Sequence, residues 1–135
     1  VSFLEKVLPV TIENVHRAFT IIQKRYPELR TITTDNDLLL QQHEALETLL
    51  GVKIYFCHPY HSWEKGTVEN TNGEIRKYIP KGNDLSCYSS QFIRSVENTV
   101  NSRYMECLRF RTPQEALITH RKLKQHLKVC SKIKK

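Results

Sequence analysis

Residues 29–57 read LRTITTDNDLLLQQHEALETLLGVKIYFC, and the fold turns on this stretch. Leu29 to Thr34 is β-favouring and leads into Asp35. Leu39, Leu46, Leu49 and Leu50 then mark one face of an amphipathic helix that Gly51 stops. Val52, Ile54 and Phe56 alternate with Lys53, Tyr55 and Cys57, the period of a strand. Strands alternating with helices of this length are the sign of an α/β sheet whose strands run parallel through helical crossovers. Upstream, Ser2 to Leu8 is short, bulky and apolar and ends at Pro9, which predicts another strand. Thr11 can cap a helix whose stripe is Ile12, Val15, Phe19, Ile22 and Tyr26, closed by Pro27.

The C-terminal half changes character. His58 to Gly66 is polar and loop-like, and Thr67 to Tyr78 reads as a helix, with Val68, Ile75 and Tyr78 as its core face and a break at Pro80, Lys81 and Gly82. A further helix spans Tyr88 to about Arg103 with Phe92, Val96 and Val100 on one face. Thr112-Pro113-Gln114-Glu115 combines an N-cap Thr, Pro at the first helical position and Glu at the third, a helix start.

At 135 residues the chain fits one domain with a real core. The net charge of +7 is concentrated: seven of the 21 basic residues fall between His120 and Lys135, which holds no acid, so the remaining 14 balance all 14 acidic residues. This divides the chain into a body, residues 1–119, and a basic tail, residues 120–135, suited to a phosphate backbone or simply solvated as a terminus. No apolar run approaches the ~20 residues of a membrane helix and no secretory signal is present, so the expected compartment is the cytoplasm. Cys57, Cys87, Cys107 and Cys130 are far apart and form no CxxC pair; Cys57, His58 and His61 lack the second ligand pair of a zinc site, which leaves free thiols in a reducing compartment.

Two acids stand out by context. Asp35 follows a strand, at the sheet edge where open α/β folds bind ligands. Glu69 lies 34 positions later, in the first turn of the predicted helix in HPYHSWEKGTVENTNGEIRKYIPKG. Exchange of a phosphodiester needs a deprotonated nucleophile and a stabilised leaving oxygen. Two hard cations about 3.5–4 Å apart, held by carboxylates, supply both. An Asp after a strand also serves as a turn residue, and a Glu early in a helix as a dipole partner.

The run TTDN, then GVKIYFCHPYHSWEKGTVENTNGEIRKYIPKG, then RTPQEAL resembles the retroviral-integrase-like core of DDE transposases, most nearly the bacterial insertion-sequence family thirty. The matches cover most of residues 29–117. The resemblance implies a ribonuclease-H-like mixed sheet with helices on both faces, here without its first strand or strands. It implies DNA strand cleavage and strand transfer with Mg²⁺ or Mn²⁺, a homo-oligomeric full-length protein and association with the bacterial nucleoid. Asp35 would be the second metal-binding Asp and Glu69 the third triad member, with Trp63, Gly66, Asn70, Asn72 and Gly73 as motif residues around them. The triad's first Asp is expected on a strand before Val1, so that this chain alone would be inactive. Departures are visible: Asp37 precedes Leu38, Leu39 and Leu40 where the family has Gly and then an EF pair, and Asn101-Ser102-Arg103-Tyr104 lacks the family's Pro. The altered TDND and the missing first Asp favour the alternative of an inactive, decayed or domesticated DNA-binding remnant, which the intact Glu69 context opposes; a nuclease on the same fold that cuts without joining is a third reading.

Helical spacing groups Glu69, Asn72 or Gly73, and Arg76 on one face. Asn72, Arg76, Lys77 and Lys81, with Lys65 in the preceding loop and Arg121, Lys122 and Lys124 in the tail, are the expected DNA contacts, against the alternative of a solvated cationic face. Trp63 reads as packing rather than as a base-stacking group.

Overall fold

A computed structural model describes residues 1–34, 43–57 and 66–133, with side chains through residue 125. The first helix, α1 (Ile12–Arg25), begins where Thr11 Oγ1 accepts the Asn14 N–H at 3.3 Å, and its last turn places Lys24 and Arg25 against the negative end of the helix dipole. Strand β1 (Thr31–Thr34) pairs in parallel with β2 (Lys53–Phe56), Ile32 opposite Ile54 and Thr34 opposite Phe56. Between them runs α2 (His43–Leu50), ended by Gly51 at φ +64°, a left-handed position that a β-carbon would strain.

These elements enclose the main core. Leu46, Leu50, Val52 and Ile54 are buried, and Val15, Phe19, Leu29, Ile32 and Phe56 pack against them. Each of the four buried side chains stabilises the fold by about 1.5–3 kcal/mol, the partly buried ones by less. The alternation expected for β2 holds, with Ile54 buried between exposed Lys53 and Tyr55. The Ile54 N–H donates to Glu47 Oε1 at 2.8 Å, so a side chain of α2 occupies part of the backbone edge of β2. That contact, then the hydrogen bond from Lys53, holds the Glu47 carboxyl below the usual glutamate range.

Downstream come α3 (Gly66–Arg76), a 3-10 turn at Leu85–Cys87, α4 (Ser90–Asn101), a second 3-10 turn at Glu106–Leu108, and α5 (Pro113–Ile133). The capping box predicted for α5 is formed: the Glu115 N–H donates to Thr112 Oγ1 at 3.2 Å and the Thr112 N–H to Glu115 Oε2 at 2.9 Å. The residues from His120 to Ile133 continue α5. On α4 the buried face is Ile93, Val96, Glu97, Val100 and Asn101, whereas Phe92 is half-exposed and stacks on Tyr88 at 5.3 Å.

Two expectations need correction. Ser2 to Leu8 forms no strand. Its backbone is held by side chains of α4 instead: the Ser2 N–H donates to Asn101 Oδ1 at 2.8 Å, Asn101 Nδ2 donates back to the Ser2 carbonyl at 2.7 Å, and the Leu4 N–H donates to Glu97 Oε2 at 2.6 Å. These side chains take the place of ladder partners at Ser2 and Leu4. Val68 and Tyr78 are exposed, leaving only Ile75 of the expected α3 core face partly covered, because α3 packs against α4 alone among the larger element contacts. The sheet among the described residues is a parallel pair, β1 with β2. The architecture is thus mixed α/β, with five α-helices and a two-stranded parallel sheet among the described residues.

Candidate active site and nucleic-acid interface

Both strands finish at the same edge. Thr34 lies opposite Phe56, and the Cys57 N–H donates to the Thr34 carbonyl at 2.9 Å, so the parallel pair holds to its last residues. Asp35 is the next residue in the chain after β1, and Asp35 itself, like Lys65 and Trp63, lies outside the described residues.

Glu69 falls in the first turn of α3, as the sequence predicts, and is exposed. Its carboxylate gains from the positive end of the helix dipole there. Asn72, Gly73 and Arg76 are exposed on the same helix, and no residue of α3 is buried. Helical geometry therefore presents an acid, an amide and a guanidinium in one line along an open face. Lys77 is different. It donates to both oxygens of Glu74 at 2.9 Å, and Arg103 pairs with the same carboxylate. The hydrogen bond from Lys77, followed by that from Arg103, keeps the Glu74 carboxyl below its ordinary range. Lys81 lies beyond the turn that ends α3 and is exposed.

The cationic helix α5 divides in the same way. Arg121 donates from Nε and Nη2 to the two oxygens of Glu28 at 2.8 and 3.0 Å, and reaches the Arg25 carbonyl at 3.2 Å. It also lies 5.9 Å from the centre of the Tyr26 ring, so its guanidinium ties α5 to the end of α1. Lys122 is exposed and Lys124 half-buried. Among the described residues, no three His, Cys, Asp or Glu side chains converge as a metal site, and Cys57, Cys87 and Cys107 are free thiols.

A second polar cluster was missed by the sequence reading. Glu97, only 3% exposed, receives a two-pronged hydrogen bond from Arg25 and lies 3.5 Å from Arg94; Glu5 in turn pairs with Arg94 at 3.2 Å and with Arg25 at 3.9 Å. Arg25 also covers the Phe3 ring at 4.8 Å. Burial works against the charge on Glu97, but the bonds from Arg25 and from the Leu4 N–H, with the charges of Arg25 and Arg94, hold the carboxyl below its usual range. The signal was present in the spacing of Glu97 and Asn101 with Ile93, Val96 and Val100, which an apolar-only count passes over.

No protein-family model matches the chain. Over about two thirds of its length, however, the chain is homologous to transposases of bacterial insertion sequence elements. It is 48% identical over 87 residues, 64% of the chain, to the transposase for insertion sequence element IS4351 of Bacteroides fragilis. It is 38% identical over 91 residues to the transposase for insertion sequence element IS1086 of Cupriavidus metallidurans. Within that class the homologues include family-thirty transposases: the transposase InsI for insertion sequence element IS30A of Escherichia coli is 41% identical over 91 residues, 67% of the chain. The aligned part spans 27%, 27% and 24% of these relatives, about a quarter of their length. No helix among the described residues is long and apolar enough to cross a membrane.

Proposed function

We propose that this chain forms part of the catalytic core of an insertion-element transposase, which cuts DNA and joins the cut ends to a target. The observation that carries the reading is the 48% identity over 87 residues to an insertion-sequence transposase. The parallel β1–β2 pair with α2 between its strands is consistent with a ribonuclease-H-like α/β fold. In this reading Asp35, leaving the end of β1, and Glu69, exposed at the start of α3, hold divalent Mg²⁺ or Mn²⁺ together with a further carboxylate.

The donor set suits such an ion. Both groups are hard carboxylate oxygens, and Glu69 makes no ion pair with another described residue that would compete for it. When bound, the metals lower the pKa of the attacking hydroxyl and offset charge on the leaving oxygen. The chain's own share is positioning. Asn72 and Arg76, in line with Glu69, hold the phosphates on either side of the scissile bond, and Lys65, Lys81, Lys122 and Lys124 supply sequence-independent contacts to the backbone. Two element ends must be held together, which suits a homo-oligomer on DNA.

The test is a strand-transfer assay with a labelled element end, using the gene product that carries this chain. Glu69→Gln should lose at least ~100-fold in rate, while Glu13→Gln, a change on the exposed face of α1, should not. Retention of activity in Glu69→Gln refutes the carboxylate role. The Asp37–Leu40 departure favours a second reading, a DNA-binding remnant without catalysis; there the parent protein binds DNA and is as inactive as the variant.

A further inference from the structure

The chain between α4 and α5, Arg103 to Thr112, reads RYMECLRFRT. It carries the two most exposed large hydrophobic side chains of the described residues, Tyr104 at 75% and Phe110 at 70%. Their exposure is not a matter of a slack loop. The Met105 N–H donates to the Arg111 carbonyl at 3.1 Å and the Phe110 N–H to the Met105 carbonyl at 3.0 Å. Inside that closure the Leu108 N–H reaches the Met105 carbonyl at 3.0 Å and the Arg109 N–H the Glu106 carbonyl at 2.8 Å. Arg109 and Phe110 are both left-handed, at φ 56° and 58°, a backbone that side chains other than glycine and asparagine seldom adopt. A fixed, strained turn thus holds a phenyl ring in water. Strain of this kind persists where the rest of the structure over-determines it, and it clusters at binding sites.

Charge and position narrow the partner. Arg103, Arg109 and Arg111 stand against a single acid, Glu106, within nine residues. Arg103 is paired with Glu74 of α3, five residues beyond Glu69, or about 7.5 Å along the helix at 1.5 Å per residue. The loop is therefore anchored to the same helix as the candidate catalytic acid. Exposed rings interleaved with guanidinium groups bind the π faces of bases and the phosphates between them. In an intact duplex those faces are already covered by neighbouring bases. Unpaired bases offer both faces, whereas a blunt duplex offers only the outer faces of its terminal pairs.

Resting on the transposase reading above, we propose that this turn binds DNA at unpaired bases, with Tyr104 and Phe110 as stacking platforms and Arg109 and Arg111 on the flanking phosphates. The loop then prefers a frayed or single-stranded end to closed duplex, as suits a site where strands are opened and exchanged.

The experiment titrates the chain, by fluorescence anisotropy, with a blunt duplex and with the same duplex bearing a short unpaired 3′ end; 2-aminopurine in the unpaired segment reports stacking. The parent should favour the unpaired end by about tenfold, the scale of one base–aromatic stack. Tyr104→Ala and Phe110→Gly should each lower that ratio to about three, and the two together bring it close to one and restore the 2-aminopurine signal. Tyr55→Ala, which removes an exposed ring from β2, should leave the ratio as in the parent. Glycine suits the left-handed φ at position 110, so Phe110→Gly keeps the turn, and a thermal midpoint no lower than the parent's shows this. A parent without preference, or variants that keep it, overturn the proposal. Variants that keep it but dissociate an oligomer would instead make the loop a subunit contact. Binding to neither DNA would sink the transposase reading as well, whereas binding to blunt duplex without preference sinks the loop alone.

Discussion

Replacing Glu97 by Gln removes one charge from the most enclosed polar cluster among the described residues while keeping its shape. Glu97 is 3% exposed, takes both prongs of Arg25, and receives the Leu4 N–H at 2.6 Å. Breaking a buried ion pair by removing one partner costs about 3–5 kcal/mol. Two features lower that figure here: the Arg25 side chain is 26% exposed and keeps Glu5 at 3.9 Å, and the amide oxygen can still accept from Leu4. A loss of about 2 kcal/mol remains, which moves the urea midpoint down by about 1–2 M for a slope of about 1–2 kcal/mol per M. The pH dependence gives a second reading of the same charge. The folded carboxyl lies below its unfolded value of about 4.3, so its contribution is present above that pH and is lost as pH falls through the folded value. The parent should therefore weaken on acidification below about pH 4.3, and Glu97→Gln should weaken less steeply over the same interval. An unchanged urea midpoint together with an unchanged acid limb would refute the idea that this pair holds the N-terminal segment to α4.

Leu46 is fully buried at the centre of the main core, and Leu46→Ala should cost about 2–5 kcal/mol, read as a lower urea midpoint. Thr112→Ala breaks the capping box of α5 and should cost about 1 kcal/mol, seen by the same measurement and by a loss of helical circular dichroism on mild heating. On duplex DNA, Lys122→Ala should reduce the slope of log affinity against log salt by about one, as expected for one phosphate contact. Arg121→Ala should leave that slope close to the parent's and lower stability instead, because its guanidinium is engaged with Glu28.

The elements that sequence reading places well are those whose signals are local. Thr11 and Thr112 are caps whose partners lie three residues away, and Gly51 closes α2 through its own φ. Glu69 at the head of α3 belongs with them. Ser2 to Leu8 fails for the opposite reason. Whether an apolar stretch becomes a strand depends on what lies beside it, and here its backbone partners are Glu97 and Asn101, more than ninety positions away. The same distance hides the purpose of Glu97, which an amphipathic count marks as an interruption. In α3, spacing alone put Val68 and Tyr78 inward, but a helix with one neighbour covers only part of its circumference. The relation of Asp35 to Glu69 rests on the family motif, since the loops joining them carry no periodicity that would orient one against the other.

The clamp of Ser2 and Leu4 onto α4 also sets an order for events during synthesis. The β1–α2–β2 unit and α1 are complete once Cys57 has emerged, so that core can form early. The amino-terminal segment has to wait for Asn101, 44 residues later. At about 5–20 residues per second, that delay lasts about 2–9 s. During it the backbone of Ser2 and Leu4 lacks the side chains that hold it, and this is the interval in which a chaperone or a neighbouring nascent chain would find the segment.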